Sequence, residues 1–368
     1  MSQQEILLIG PSTRAMAASA MRAGLVPHCI DLFGDVDLRV MAAVEVLPVE
    51  QYPQGLVERA SRYPASWPVM YTGGLENHPE VYLALAEQRP VWGYLHPDPL
   101  HGPSVRRPEF LDDIARQCGF RRPQHQRSSR DSGPWLLKPR AGAGGRGIRL
   151  WDGQPVAASH FLEEVLQGIC LSAACVHVQG EVKLLGITRQ LVGEPWLHAP
   201  SSYSYCGNVG PWLVSAELQE QVRAMGQVLA ASDPFLLGLF GMDLLLTEQG
   251  LVLLEVNPRY TASLEVLEQA TGEAFVVDHV AAFQLQTYSV LKSQPSGRIY
   301  GKAIYYAALP GVFPAEVPWQ ECADIPAAGT ILEAGQPVLT LLAEGNSETD
   351  VIQKLQARAC EMDMLLNP

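Results

Sequence analysis

Two carboxylates and an amide lie close together in the second half of the sequence. Asp243 sits in one apolar segment, and Glu255 and Asn257 sit in the next. Side chains two positions apart on a strand share a face, so Glu255 and Asn257 point the same way. If the segments pair through the Gln249-Gly250 turn, Asp243 falls near that face. Two buried carboxylates are unfavourable without a cation, and oxygen ligands of this number suit Mg²⁺ that bridges nucleotide phosphates.

A cation follows this group at Arg259. Its guanidinium could neutralise charge on a phosphoryl group during transfer, which makes Arg259 a candidate catalytic residue. The alternative is a structural salt bridge between Glu255 and Arg259, and for either residue alone this is the better interpretation.

A glycine-rich loop follows Lys138. Gly142, Gly144, Gly145 and Gly147 leave a backbone whose N–H groups can approach a phosphate closely. Lys138, at the end of the preceding strand, could place its ammonium on a phosphate oxygen. The loop is not a Walker A loop, because no Gly-Lys-Ser/Thr closes it and no helix follows. For such a stretch alone, a flexible hairpin loop is the better interpretation.

The first hundred residues alternate strand and helix patterns, which predicts a parallel, doubly wound sheet. No complete G-x-G-x-x-G fingerprint follows the first strand, so we expect a Rossmann-like scaffold that does not itself bind a nucleotide. The predicted strands are Glu5–Ile9, Val26–Asp31, Val44–Leu47, Pro68–Tyr71 and Val91–Tyr94, and the predicted helices are Thr13–Ala23 and Leu75–Gln88.

Patterns in the rest of the chain predict a mixture of hairpins and helices. Periodicity alone favours the end of a helix at Phe161–Leu166. The tail from about Gly297 to Gly345 is rich in Gly and Pro and predicts a small β meander. We expect three domains, at 1–98, 99–296 and 297–368. Helices are predicted at Pro108–Cys118, Ala216–Ala231 and from Ser263 to about Leu291, a hairpin at Cys170–Leu191, and strands at Leu239–Leu246 and Leu251–Val256.

Composition limits the classes of function. The 368 residues carry a formal net charge of -13, which argues against nonspecific nucleic-acid binding. We expect no signal peptide and no membrane span, since no sufficiently long apolar stretch occurs. Seven dispersed cysteines without a C-x-x-C pair are typical of reduced thiols, so the expected compartment is the cytoplasm.

Lys138 with its glycine loop, followed about a hundred residues later by Asp243 and then Glu255-x-Asn257, resembles the ATP-grasp superfamily. Within it, the chain is similar to a biotin-carboxylase-related carboligase subgroup that includes tyramine–glutamate ligases. The resemblance implies an ATP-grasp fold of α/β and α+β character, in which two lobes hold ATP. It further implies that Asp243, Glu255 and Asn257 hold Mg²⁺, or Mn²⁺ in its place.

The resemblance also implies roles at the nucleotide end. Lys138 would contact the phosphates, and either Arg106 or Arg107 would contact the nucleotide. The segment 164–168 resembles the hinge whose backbone pairs with adenine, so Glu164, Val165 and Leu166 are expected adenine contacts. Glu164 alternatively belongs to a solvated helix face. Cys170 stands near where the family often has an acid for the ribose, which leaves that contact open.

The acceptor end is less defined. Arg189 has two interpretations, a contact to the γ-phosphate or a substrate carboxylate and an ordinary strand-surface charge. Glu76 and Asn77 follow a strand of the first domain, where open α/β sheets place ligands, although a helix cap explains them equally well.

The resemblance implies an ATP-dependent carboxylate–amine ligase of cofactor biosynthesis that forms an amide through an acyl phosphate. Small-molecule carboxylate and amine substrates are implied, with glutamate or another small amino acid among them, and a homodimer is compatible with this. The alternatives are a bicarbonate-activating carboxylase related to biotin carboxylase and a non-catalytic ATP-binding protein.

Overall fold

The fold was analysed in a computed structural model. The structure describes residues 3–98, 104–126, 134–284, 297–315 and 319–366. The helix pattern predicted beyond residue 284 therefore lies outside the described residues.

Four parallel strands form an N-terminal sheet in the order β3-β2-β1-β4. Helices lie between the strands, and β1 is buried because both faces of a parallel sheet are covered. The prediction of a parallel α/β region is confirmed. The elements are β1 (Glu5–Ile9), α1 (Arg14–Arg22), β2 (Val26–Asp31), α2 (Val36–Met41), β3 (Ala43–Val46), α3 (Gly55–Ala60), β4 (Val69–Tyr71) and α4 (Pro79–Ala86), with 3₁₀ turns at Val49–Gln51 and Leu75–Asn77.

The predicted fifth strand, Val91–Tyr94, is wrong. Only Val91 forms a bridge, to Val69. The Tyr71 hydroxyl donates to the Tyr94 carbonyl at 2.8 Å, and a Cβ built on Gly93 would lie 2.5 Å from the Tyr71 ring. Beyond Val91, the Tyr71 side chain of the adjoining strand lies against this segment instead of a backbone ladder.

A second, small antiparallel sheet has the order β5-β8-β6-β7. The helix end predicted at Phe161–Leu166 is wrong, because Phe161 pairs with Lys138 in a strand. Leu162 packs against Trp135 on one face of this sheet, so its neighbours point to the other face. The elements are the 3₁₀ turn Ser104–Arg106, α5 (Pro108–Cys118), β5 (His125–Gln126), β6 (Trp135–Pro139), β7 (Arg149–Leu150) and β8 (His160–Glu164).

A large sheet follows, in the order β13-β12-β9-β10-β11-β14-β18-β16. Its hairpins occur where the sequence predicted them. α6 packs on one face, and α7 and α8 pack on the other. The elements are β9 (Ile169–Val178), β10 (Glu181–Val192), a 3₁₀ turn at Pro195–Leu197, β11 (Tyr205–Gly210), α6 (Ala216–Ser232), β12 (Gly238–Thr247), β13 (Gly250–Asn257), α7 (Ala262–Thr271) and α8 (Val276–Gln284).

The tail is rich in strands as predicted, but most of it extends the large sheet instead of forming a meander of its own. β14 pairs with β11, where a Cβ on Gly207 would lie 2.0 Å from the Lys302 carbonyl oxygen, so only glycine permits this pairing. Among the described strands of the tail, only β15 and β17 pair with each other outside the large sheet. The elements are β14 (Ile299–Tyr306), β15 (Gly311–Val312), a 3₁₀ turn at Trp319–Glu321, β16 (Cys322–Ala323), β17 (Ile331–Leu332), β18 (Pro337–Gly345) and α9 (Glu348–Leu366).

A buried group of charges joins the N-terminal sheet, α7 and the tail. The Glu265 carboxylate of α7 accepts hydrogen bonds from Arg14 of α1 and, at 2.8 Å, from Lys302 Nζ of β14. Arg14 Nε also donates to Asp324 Oδ1 at 3.0 Å. Burial alone would raise the pKa of Glu265, but Arg14 and Lys302 hold it well below its ordinary value. We call these four residues the ionic junction.

We predict that Glu265→Gln lowers the free energy of unfolding at pH 7 by about 3 kcal/mol, since it leaves two buried cations without their shared anion. Urea denaturation followed by circular dichroism measures the change. Because the native pKa of Glu265 is depressed, its contribution is present above the unfolded value near 4.3 and is lost as the pH falls below it. Glu220→Gln, at an exposed ion pair on α6, is the matched control and leaves the midpoint unchanged.

Candidate active site

The structure brings together the three residues predicted to hold a metal. Asp243 of β12 lies directly across from Glu255 of β13 in the antiparallel pairing, and Asn257 lies two positions further on the same face. Asn257 Nδ2 donates to Asp243 Oδ2 at 3.0 Å and to Glu255 Oε1 at 3.4 Å. Two carboxylates and one amide therefore converge at the end of the β12–β13 hairpin.

The two carboxylates have opposite pKa shifts. Burial and the nearby charge of Glu255 raise the pKa of Asp243 to about 7. Burial also acts to raise the pKa of Glu255, but the charges of Arg106 and Lys138 bring it below its ordinary value. Facing carboxylates of this kind repel one another, and a divalent cation between them would stabilise both in the ionised form.

Arg106 reaches this carboxylate pair, and Arg107 does not. Arg106 Nη1 lies 3.2 Å from Glu255 Oε2 and 3.2 Å from Asn257 Oδ1, and Nη2 donates to the Gly142 carbonyl at 3.1 Å. Arg107 directly precedes α5 and is exposed. Arg106, and not Arg107, therefore lies beside the predicted metal ligands, and its contact to the nucleotide stays a prediction.

Lys138 has a partner that the sequence reading missed. Lys138 Nζ lies 2.9 Å from Glu163 Oε1, and His125 Nε2 lies 3.1 Å from Glu163 Oε2. Although burial would raise it, the pKa of Glu163 is lowered to about 2 by Lys138 and His125. The two consecutive acids at 163 and 164 are the only signal for this contact, and assigning a strand there would have shown that they face opposite ways.

The Glu164 side chain does not face Lys138. Arg121 Nη2 donates to Glu164 Oε1 at 2.6 Å, and the Gln124 backbone N–H donates to Oε2 at 3.1 Å. The expected side-chain contact of Glu164 to adenine is therefore corrected: strand alternation turns it to the opposite face of β8. Val165 and Leu166 follow directly after β8. Their predicted contact to adenine, through the backbone, stays a prediction.

The glycine-rich loop joins β6 to β7 and lies against both neighbouring regions. The Gly142 carbonyl faces Arg106 and, at 3.4 Å, Asn77 Nδ2 of the N-terminal region. The Gly144 carbonyl accepts from the Tyr205 N–H at 3.0 Å. Gly145 has φ +76°, and a Cβ there would lie 1.8 Å from the Tyr203 carbonyl oxygen. The loop, which also includes Gly147, thus contacts Arg106, the N-terminal region and the segment that leads into β11.

Arg259 and Arg189 have different positions from those expected. Arg259 Nε lies 3.1 Å from Glu76 Oε1, so its ion pair is to the N-terminal region and not to Glu255. Arg189 lies on the opposite face of the large sheet from Asp243 and pairs with Glu348 of α9. Its expected phosphate or carboxylate contact is therefore corrected to an ion pair on the far face.

Two uncharged residues lie beside the carboxylates. Gln190, the neighbour of Arg189, donates from Nε2 to Asp243 Oδ1 at 2.8 Å, a contact that the sequence reading missed. Cys170 is partly buried, and burial raises the pKa of its thiol, so the thiol stays neutral and is a poor nucleophile.

The donor set fits Mg²⁺ held jointly by protein and nucleotide. Among the described residues, no group of three His, Cys, Asp or Glu side chains converges. The donors at this place are two carboxylates and one amide. Mg²⁺ in nucleotide sites typically takes one or two carboxylates and completes its shell with phosphate oxygens and water.

Within the described part of the chain, no helix is long and apolar enough to span a bilayer.

Comparison with known proteins agrees with this architecture. Residues 109–263 match the ATP-grasp domain family. The biotin carboxylase domain of Hydrogenobacter thermophilus 2-oxoglutarate carboxylase has a TM-score of 0.72 at 15% identity, over 97% of this chain and 90% of that one. The L-amino acid ligase of Bacillus licheniformis has a TM-score of 0.69 at 15% identity, over 98% of both chains. Phosphoribosylamine–glycine ligase of Thermotoga maritima has a TM-score of 0.68 at 14% identity, over 96% of both.

A curated relative, an uncharacterized protein of Methanocaldococcus jannaschii, is 21% identical over 216 residues, which are 57% of this chain and 51% of the relative. The chain thus spans about half the length of the curated relative it matches. The chain carries an ATP-grasp domain and has the ATP-grasp fold, and the resemblance to this superfamily is confirmed.

We predict that Arg106→Ala weakens Mg-ADP binding at least tenfold, since it removes a largely buried cation beside the predicted phosphate contacts. Isothermal titration calorimetry measures the affinity. Arg107→Ala is the matched control and leaves the affinity unchanged. An equal loss in both variants would contradict the assignment of Arg106.

We predict that Glu163→Gln weakens ADP binding about tenfold, because Lys138 loses the carboxylate that holds its ammonium in place. The neighbouring Glu164→Gln provides the control, since its side chain lies on the other face of β8. Fluorescence competition with a labelled nucleotide gives both affinities. Equal affinities for the two variants would rule out a positioning role for Glu163.

Proposed function

We propose that the chain is an ATP-dependent carboxylate–amine ligase. The observation that carries the proposal is the convergence of Asp243 and Glu255 with the cations Arg106 and Arg259 under the glycine-rich loop. A carboxylate pair supports metal binding, and flanking guanidinium groups support the stabilisation of phosphoryl charge. The likeness in fold to an L-amino acid ligase and a phosphoribosylamine–glycine ligase agrees with this reaction class.

In the proposed site, Asp243, Glu255 and the Asn257 amide oxygen hold Mg²⁺. When bound, the metal supplies positive charge that neutralises the transferring phosphate and aligns it. Arg106 and Lys138 bind the phosphate chain from the side of the small sheet. Arg259 binds the phosphoryl oxygens on the side that faces the N-terminal sheet.

The proposed reaction has two steps. An oxygen of the carboxylate substrate attacks the γ-phosphorus of ATP, the bond to ADP breaks, and an acyl phosphate forms. The amine nitrogen then attacks the acyl carbon, phosphate leaves, and the nitrogen loses a proton. The closed glycine-rich loop excludes water from the acyl phosphate. Neither step needs a protein nucleophile, which agrees with the neutral thiol of Cys170.

We further propose a small amino acid such as glutamate as one substrate and, in line with the resemblance, a place in cofactor biosynthesis. This rests on the similarity to carboligases. The biotin carboxylase domain of similar fold was crystallised with MgADP and bicarbonate, so a bicarbonate-activating reaction is the alternative outcome of the test.

An ADP-release assay over a panel of amino acids and amines tests the function. We expect release that requires both a carboxylate and an amine. Release that requires bicarbonate and no amine would replace the ligase with a carboxylase, and tight ATP binding without turnover would indicate a non-catalytic protein. In the active combination, we expect Glu255→Gln to lower turnover at least about a hundredfold, with an unchanged thermal midpoint. Full activity in that variant would contradict the metal assignment.

A further inference from the structure

Glu76 is a buried carboxylate that reaches the candidate site from the N-terminal sheet. It lies in the 3₁₀ turn Leu75–Asn77 after β4, and it is 0% exposed. Its Oε1 accepts from Arg259 Nε at 3.1 Å, and its Oε2 has no hydrogen-bond partner among the described residues. A buried carboxylate oxygen without a partner is unfavourable for folding, so stability alone does not account for this side chain.

Arg259 would compete with a metal if nothing held it. It lies four positions after Glu255, and its Nη2 donates to Oδ1 of Asn257 at 3.3 Å, while Nδ2 of the same amide lies within hydrogen-bond distance of both carboxylates. An arginine free to move toward this pair would form the salt bridge that the sequence alone suggests. A guanidinium bound there would neutralise the oxygens that a divalent cation needs.

The contacts of Arg259 place it beside Asn257, with its ion pair to Glu76 and not to Asp243 or Glu255. Nε bonds Glu76, Nη2 donates to Asn257 Oδ1 at 3.3 Å, and Nη1 donates to the Tyr260 carbonyl at 3.3 Å. Of these partners only Glu76 is charged, and it comes from a position 183 residues away in sequence. Glu76 is therefore the only anion in this set that opposes the attraction of Arg259 toward Glu255.

We propose that Glu76 is a positioning residue that holds Arg259 away from Asp243 and Glu255 and so keeps both carboxylates available to the metal. The role rests on the proposed function in one respect, namely the assignment of Asp243 and Glu255 as metal ligands. Glu76 acts through Arg259 and not through contact with the metal. Its charge is essential to the role, because a neutral amide retains the hydrogen bond to Nε but loses the attraction.

Mn²⁺ binding in the presence of ADP tests this role without any turnover. Electron paramagnetic resonance titration gives the Mn²⁺ affinity for the wild type, Glu76→Gln, Arg259→Gln and the double variant. We expect Glu76→Gln to weaken Mn²⁺ binding about tenfold, because Arg259 then pairs with Glu255. The double variant should bind Mn²⁺ as tightly as Arg259→Gln alone, since the competing cation is gone.

Two outcomes overturn the role of Glu76: an unchanged Mn²⁺ affinity in Glu76→Gln, or a double variant as weak as Glu76→Gln. Glu80→Gln, at an exposed position of the adjoining helix, controls for a general change of charge and should have no effect. If Glu76→Gln does not fold, Glu76→Asp keeps the charge but shortens the reach, and a smaller loss is expected. A wild type that binds no Mn²⁺ overturns the metal site itself, which separates that failure from this one.

Discussion

The candidate site depends on the buried bonds of Glu265 to Arg14 and Lys302. Glu265 belongs to α7, which begins a few residues after β13 ends at Asn257, so the ionic junction anchors the end of the short segment that carries Arg259. Thr261, which directly precedes this helix, lies close to β12: a Cβ on Gly241 would lie 2.7 Å from the Thr261 methyl group. Because Arg14 belongs to the N-terminal region, the same junction orients the sheet from which Glu76 reaches Arg259. One ion group thereby fixes the relation between three regions of the chain.

Each cation of the site is paired with its own carboxylate. Lys138 pairs with Glu163, Arg106 with Glu255 and Arg259 with Glu76. The pairs differ in one respect: only Glu255 is also a proposed metal ligand. In the proposed function, a metal held by Glu255 would weaken the pair of this carboxylate with Arg106, whereas Lys138 and Arg259 would keep their partners.

Elements defined by local pattern could be predicted from the sequence, and elements defined by distant partners could not. The strand Val26–Asp31 and the helix Pro108–Cys118 have the predicted bounds, because apolar periodicity and turn residues specify them. The tail strands join the large sheet through Gly207, and no pattern in the tail indicates a partner that far away in the chain. Likewise the strand predicted at Val91–Tyr94 pairs only at Val91, and the side chain of Tyr71 from β4 lies against the residues that follow.

The same division applies within the site. Asp243, Glu255 and Asn257 lie on one hairpin, so alternation along two adjacent strands was enough to place them together. Arg189 was assigned to the cleft because its charge suited a phosphate, yet Gln190 is the residue that faces Asp243. Alternation shows that these two neighbours point opposite ways, but it does not show which of them faces the cleft. That choice follows from the register of β10 on β9, where Arg189 pairs with Leu171, and of β9 on β12, where Ser172 pairs with Asp243.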